Sequence, residues 1–154
     1  EITWEEHLDW FKRLQTDDSR QCLLFSNDER IPCAVVSISS IDQIQKSAFW
    51  GFYTNPEARP GTGMRMSLDA LDNAFENLGL KKLNAEVLST NLRSLEMHKK
   101  VGFIQEGCFR KHFFNGEESM DVVRFGLLKN EWPQAKRKLI DRINQWPSSN
   151  IKLE

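Results

Sequence analysis

No run of apolar residues in this sequence is long enough to cross a bilayer, and no signal peptide is expected at its start. An excess of one charge is also missing. Lys and Arg number 21 against 22 Asp and Glu, a formal net charge of −1. With a pI near 6.4, neither nucleic acid nor an anionic membrane is an expected partner. Cysteine is scarce. Cys22, Cys33 and Cys108 are scattered, odd in number and unlike any metal spacing, so no metal is expected and a reducing, cytoplasmic compartment is. No repeat, low-complexity tract or linker divides the chain, and Tyr53 is its only tyrosine. What is present describes one globular domain over residues 1–154, 40% hydrophobic and 28% charged, large enough for a real core.

Local patterns predict the elements. "TWEEHLDWFKRLQ" joins a capping box, Thr3 with Glu6, to an apolar stripe of Trp4, Leu8, Phe11 and Leu14, a helix with a face to bury. "QCLLFS", "NDER" and "IPCAVVSIS" read as strand, turn and strand, and "SAFWGFYT" as a third strand. A helix carrying Met64, Leu68, Leu71, Phe75 and Leu78 on one face is expected to run to about Leu78, where Gly79 stops it. "KKLNAEVLS" is a strand. Asn91 caps a short helix ending at Gly102. A long hairpin follows, and then a terminal helix to Trp146 with Pro133 in its first turn. Strands and helices mix without strict alternation, so the expected class is α/β or α+β.

The stretch "RPGTGMRM" brings two glycines to the mouth of a helix. A helix start carries unpaired N–H groups and partial positive charge, and glycine lets an anion approach the backbone. It is not a P-loop, because no Lys-Ser/Thr follows. It is not a dinucleotide fingerprint, because the third glycine and its βαβ setting are missing. On these residues alone, a phosphate site and a plain tight turn are equally open.

A second pattern, "NLRSLEMHKKVGF", lies one strand further on. In this order the two resemble the GNAT superfamily of acyl-CoA-dependent N-acetyltransferases, over about residues 4 to 132. The resemblance implies a mixed, mostly antiparallel sheet flanked by helices. Its strand at Phe49–Tyr53 would splay from the strand at Leu83–Leu88, so that the arm of acetyl-CoA adds like an extra strand. Phe52, Tyr53 and Thr54 would touch the thioester end. The pyrophosphate would lie on the amides of Gly61, Thr62, Gly63, Met64 and Arg65, with Arg59 and Asn91 also contacting the cosubstrate. Ala58 stands where the family often has Gln or Arg.

The helix "WEEHLDWFKRL" together with "GFYTNP" and "LNAEVLSTN" is similar to two branches of that family. One acetylates ribosomal-protein alanine. The other acetylates UDP-4-amino-4,6-dideoxy-N-acetyl-β-L-altrosamine in pseudaminic acid synthesis, the flagellar-glycan route. The expectation is the sugar enzyme, lacking the amino-terminal strand and helix of full-length members. Polyamine transfer and a silent acyl-CoA-binding module are the rivals.

Transfer to an amine requires loss of an ammonium proton, a polarised carbonyl and a protonated leaving thiolate. Glu86, alone among apolar strand neighbours, is the expected base through a raised pKa, or else a solvated residue paired with Lys81 or Lys82. His98 stands where relatives place a tyrosine and is the expected acid, or else a helix-end histidine on the dipole. His7 is either a core residue or a nucleotide contact, and Tyr53 either core or part of the acyl and sugar site. His112 reads as solvated. Phe109, Phe113 and Phe114 have three open roles: core, sugar pocket or the contact of a homodimer.

Overall fold

The computed structural model describes residues 3–145, so the predicted helix end at Trp146 lies outside the described residues. Thr3 caps α1 (Trp4–Leu14) through the reciprocal box. Its hydroxyl accepts from the Glu6 N–H at 3.3 Å, and the Glu6 carboxylate accepts from the Thr3 N–H at 2.8 Å. β1 (Gln21–Ser26), β2 (Pro32–Asp42) and β3 (Ser47–Thr54) then form an antiparallel meander. The first turn of the meander is built on Asn27, whose Oδ1 accepts the N–H groups of Glu29 and Ile31. α2 (Thr62–Asp72), β4 (Lys82–Leu88), α3 (Leu92–Val101), β5 (Ile104–Phe114), β6 (Ser119–Leu128) and α4 (Trp132–Gln145) complete the described chain.

The sheet has six strands in the order β1-β2-β3-β4-β6-β5, and only β3 and β4 run parallel. The expected mixed, mostly antiparallel sheet is what forms. Period-2 alternation decides its faces. Leu83, Ala85 and Val87 of β4 and Val123, Phe125 and Leu127 of β6 enter the core with Leu71, Phe75, Val101 and Leu139 from the helical side. Glu86 and Arg124 alternate with them and so occupy the other face.

Two expectations need correction, and one set of open roles is narrowed. The helix after the glycines is not regular to Leu78. At Asn73–Asn77 it passes into a π-helical turn, in which the Leu78 N–H reaches the Asn73 carbonyl at 3.0 Å. Lys129 Nζ donates to the Phe75 carbonyl at 2.8 Å, which satisfies an acceptor in the widened turn. The α1 stripe is not a buried face. Trp4 is 71% exposed, and Leu8 and Phe11 are exposed as well. A capping box and a 3.6-residue period suffice to shape a helix; burial also needs an opposing surface. Phe109, Phe113 and Phe114 are exposed on the edge strand, which takes them out of the core.

Candidate active site

The site begins where β3 and β4 part. Their ladder covers only Ser47↔Lys82, Ala48↔Leu83 and Phe49↔Asn84. Beyond it β3 stays paired to β2 as far as Thr54, and β4 to β6 as far as Leu88, so their facing edges diverge. Asn84 sits at the vertex. Its side chain is buried, and Nδ2 donates to the Ala48 carbonyl at 3.0 Å. Past that point the β4-facing edge of β3 from Trp50 to Thr54 has N–H and C=O groups open to another extended chain.

That edge leads to the glycine turn. Asn55 Oδ1 accepts the Glu57 N–H, and the Asn55 carbonyl accepts from Ala58, which winds the loop back towards α2. Gly61 is the residue before the helix, with φ +90°, a left-handed conformation that glycine adopts freely. No side chain caps it. Thr62 N–H donates to the Arg59 carbonyl, and those of Met64 and Arg65 donate to the Gly61 carbonyl, each at 3.1 Å. The N–H groups of Gly61 and Gly63 are the two in this turn without an acceptor among the described residues. The expectation of an unbroken run of amides from Gly61 to Arg65 is thereby corrected: the free donors are the two glycines themselves.

A cleft of about 710 Å³ joins the open edge to this turn. It brings together Phe52, Tyr53, Thr54, Arg59, Gly61, Thr62, Gly63 and Asn91 of the residues expected from sequence. Met64 and Arg65 lie outside its lining, Met64 being packed against the core. Asn91 caps α3 by accepting the Ser94 N–H at 3.1 Å, as expected of a helix cap. Tyr53, 69% exposed, stands at the lip and is no core residue.

Arg93, Ser94 and Lys100 also line the cleft without having been singled out from sequence, as does Met97, which reads from sequence as a packing residue and does pack against the core. Their spacing held the signal: Arg93, Met97 and Lys100 follow i, i+4, i+7 behind the Asn91 cap. With Arg59 they set three cations around a turn already offering two N–H donors. Three cations against the single carboxylate of Glu96 in the lining make this arrangement suited to an anion. Among the described residues no group of three His, Cys, Asp or Glu side chains could hold a metal ion.

His98 is not in that lining. It is 3% exposed, and its ring lies between 5.3 and 5.7 Å from those of Trp50, Phe52, Phe103 and Phe125. Its Nδ1 is 2.7 Å from the Ser94 carbonyl. A carbonyl only accepts, so Nδ1 carries the proton and, in the neutral ring, Nε2 a lone pair. Nε2 is buried without a partner, as is Trp50 Nε1. Burial pushes the His98 pKa below its ordinary 6.5, opposed only in part by the Ser94 bond. The expected acid is thus held neutral, with its N–H committed inside the helix. As placed, it has a lone pair to offer rather than a proton. Nor does its side chain serve the helix end, where the backbone of Gly102 and Phe103 closes onto the His98 carbonyl.

This predicts a pH effect. Native His98 stays neutral where the unfolded residue already binds a proton, so stability falls as pH drops from 6.5 towards the lower native value. The slope in that window is at most about 1.4 kcal/mol per pH unit. His98→Phe, which keeps an aromatic ring in the cluster, is expected to flatten this acid limb in urea titrations between pH 4.5 and 7.5. An unchanged limb would assign it to other groups.

Glu86 is exposed on the far face of the sheet and lies outside the cleft lining. Its partner is neither Lys81 nor Lys82. Arg124 Nη1 donates to Oε1 at 2.6 Å, while Lys82 pairs with Glu106. His7 belongs to α1, and its side chain is outside the described residues.

The comparisons agree with this architecture. Residues 1–104 match the acetyltransferase (GNAT) domain family. The chain belongs to that family and is an acyltransferase of the GNAT class. It is 31% identical to the acetyltransferase PseH of Campylobacter jejuni over 102 residues, 66% of this chain and 62% of PseH. It is 27% identical to the putative ribosomal N-acetyltransferase YdaF of Bacillus subtilis over 106 residues, 68% of this chain and 57% of YdaF. The chain therefore spans about three fifths of these relatives. The spermidine N-acetyltransferase of Vibrio cholerae, solved with CoA and spermine, superposes with a TM-score of 0.81 at 22% identity, over 85% of this chain and 78% of that one. No described helix is long and apolar enough to cross a membrane.

Proposed function

We propose that this chain transfers the acetyl group of acetyl-CoA directly to a small-molecule amine, and that the amine belongs to a UDP-linked 4-amino sugar. One observation carries the cosubstrate: an open strand edge runs into a turn with two unpaired glycine N–H groups, ringed by Arg59, Arg93 and Lys100. The edge of β3 takes the amides of the pantetheine arm, and the Gly61 and Gly63 N–H groups take the pyrophosphate. Backbone N–H groups at Phe52 to Thr54 polarise the thioester carbonyl. When bound, acetyl-CoA supplies the activated acyl group. Glu86 receives the ammonium proton, directly or through water; as the new C–N bond forms and the C–S bond breaks, the second proton of the attacking nitrogen goes to the departing CoA thiolate.

The sugar acceptor is supported by the likeness to PseH. An acidic pocket would favour a polyamine instead, but Glu86 and Glu106 each stand beside a cation, Arg124 and Lys82, which disfavours a multiply charged amine. The test is a thermal-shift panel of acetyl-CoA, CoA, UDP, UDP-N-acetylglucosamine and spermidine. A ligand at 100 times its Kd adds ~2.7 kcal/mol and moves Tm by several degrees. Shifts with both acetyl-CoA and UDP are expected. A shift with acetyl-CoA alone would return the acceptor to peptides or polyamines, and no shift with acetyl-CoA or CoA would overturn the cosubstrate site.

A further inference from the structure

Arg124 has no part in the roles assigned so far, yet it stands at the vertex of the splay. Phe49 and Asn84 are the last pair of the β3–β4 ladder, and Glu86 is the next residue of β4 to face the same way as Asn84. Arg124 is directly opposite Glu86 on β6, and its guanidinium lies 4.3 Å above the Phe49 ring. The stacked ring and the 2.6 Å bond to Glu86 fix the guanidinium at both ends. On its other flank Arg124 is opposite Gly107, where an added Cβ would meet nothing within 4 Å. The floor beside the guanidinium is therefore open.

The pair is only half used. Among the described residues Oε1 of Glu86 takes one N–H of Arg124, Oε2 has no partner, and the other guanidinium N–H groups have none. An acceptor lone pair and several donors thus lie side by side on a partly exposed face, beside the point where the β3–β4 ladder ends.

We infer that Glu86 and Arg124 form a two-point acceptor subsite, with Arg124 selecting amines that carry a hydrogen-bond-accepting oxygen beside the nitrogen. This deepens the function proposed above and rests on its assignment of acetyl-CoA to the open edge of β3. Glu86 Oε2 holds the ammonium, and the free N–H groups of Arg124 hold the neighbouring hydroxyl or carbonyl oxygen. An amino sugar or an α-amino amide satisfies both points. A polyamine has only ammonium groups, which leave Arg124 unpaired and are repelled by it.

The experiment measures thiol release from acetyl-CoA with D-glucosamine, L-alaninamide and spermidine as probes. It uses the wild type, Arg124→Ala and Arg124→Lys, with acetyl-CoA binding followed separately by thermal shift. The wild type is expected to prefer at least one oxygen-bearing amine over spermidine by about tenfold or more in kcat/KM. Arg124→Ala should erase that preference through the acceptor KM, with the KM for acetyl-CoA unchanged, and Arg124→Lys should restore part of it. A preference for spermidine, an equal loss with all three amines, or no turnover while acetyl-CoA still binds would overturn the subsite. Loss of acetyl-CoA binding by the wild type would overturn the function itself.

Discussion

Gly63→Pro is expected to weaken acetyl-CoA binding about 10- to 100-fold while leaving the fold in place. Proline is tolerated in the first turn of a helix, where the N–H has no intrahelical partner. Gly63 is the second residue of α2, and its N–H is one of the two free donors of the turn. The substitution therefore deletes one donor aimed at an anion, a contact of about 1.5–3 kcal/mol when the acceptor is charged. Thr62, preceding the new proline, loses some freedom in helical space, at a modest cost to stability. Gly63→Ala is the control because it keeps the N–H. Its methyl would come 3.2 Å from Met97 Cε, the tip of a flexible side chain that can yield. Calorimetric titration should give the alanine variant near-wild-type affinity and the proline variant the full loss. Equal losses would show that the backbone shape of the turn, not its N–H, holds the ligand.

The largest expected loss of stability comes from Gly102→Ala. Gly102 ends α3 with φ +116°, far from the conformations alanine prefers, and its N–H closes the helix on the carbonyls of His98 and Lys99. An added Cβ would lie 2.5 Å from Ala135 Cβ, on the first turns of α4, where neither partner has a flexible end to move. Backbone strain and overpacking each cost about 1–3 kcal/mol, so their sum is on the order of 3 kcal/mol or more. Urea unfolding should show the midpoint falling with m little changed. A loss under ~1 kcal/mol would mean that α3 and α4 separate easily, and that the α3 wall of the cleft is softer than its packing indicates.

Most of the element order is legible because its signals are local. The Thr3–Glu6 box, the Asn27 turn, the Asn91 cap and the glycines at 79 and 102 each act within a few residues of the boundary they mark. The two glycines likewise mark the mouth of α2 from sequence, although by themselves they leave a phosphate site and a plain tight turn equally open. What was not legible depends on residues far apart in sequence. The partner of Glu86 is 38 positions away, so its isolation among Leu83, Ala85 and Val87 could be read as an unpaired base. The tautomer of His98 follows from Ser94, but its burial follows from aromatic rings on two strands, β3 and β6, and on the loop before β5. Amphipathicity predicts the shape of α1 and is silent on whether any surface meets it.

The outer strand carries a consequence for how this molecule meets its own copies. Between Phe109↔Val122 and Phe113↔Met120, β5 advances four residues while β6 advances two. Lys111 takes up the surplus at φ +48°, and its N–H turns inward to Asp121 Oδ1 at 2.8 Å. The rim of the sheet is therefore broken in the middle, with Arg110, Lys111 and His112 at the break. A neighbouring chain finds no continuous ladder of backbone groups to extend there. The exposed phenylalanines can stay available for side-chain contact without turning the sheet into a template for fibrous growth.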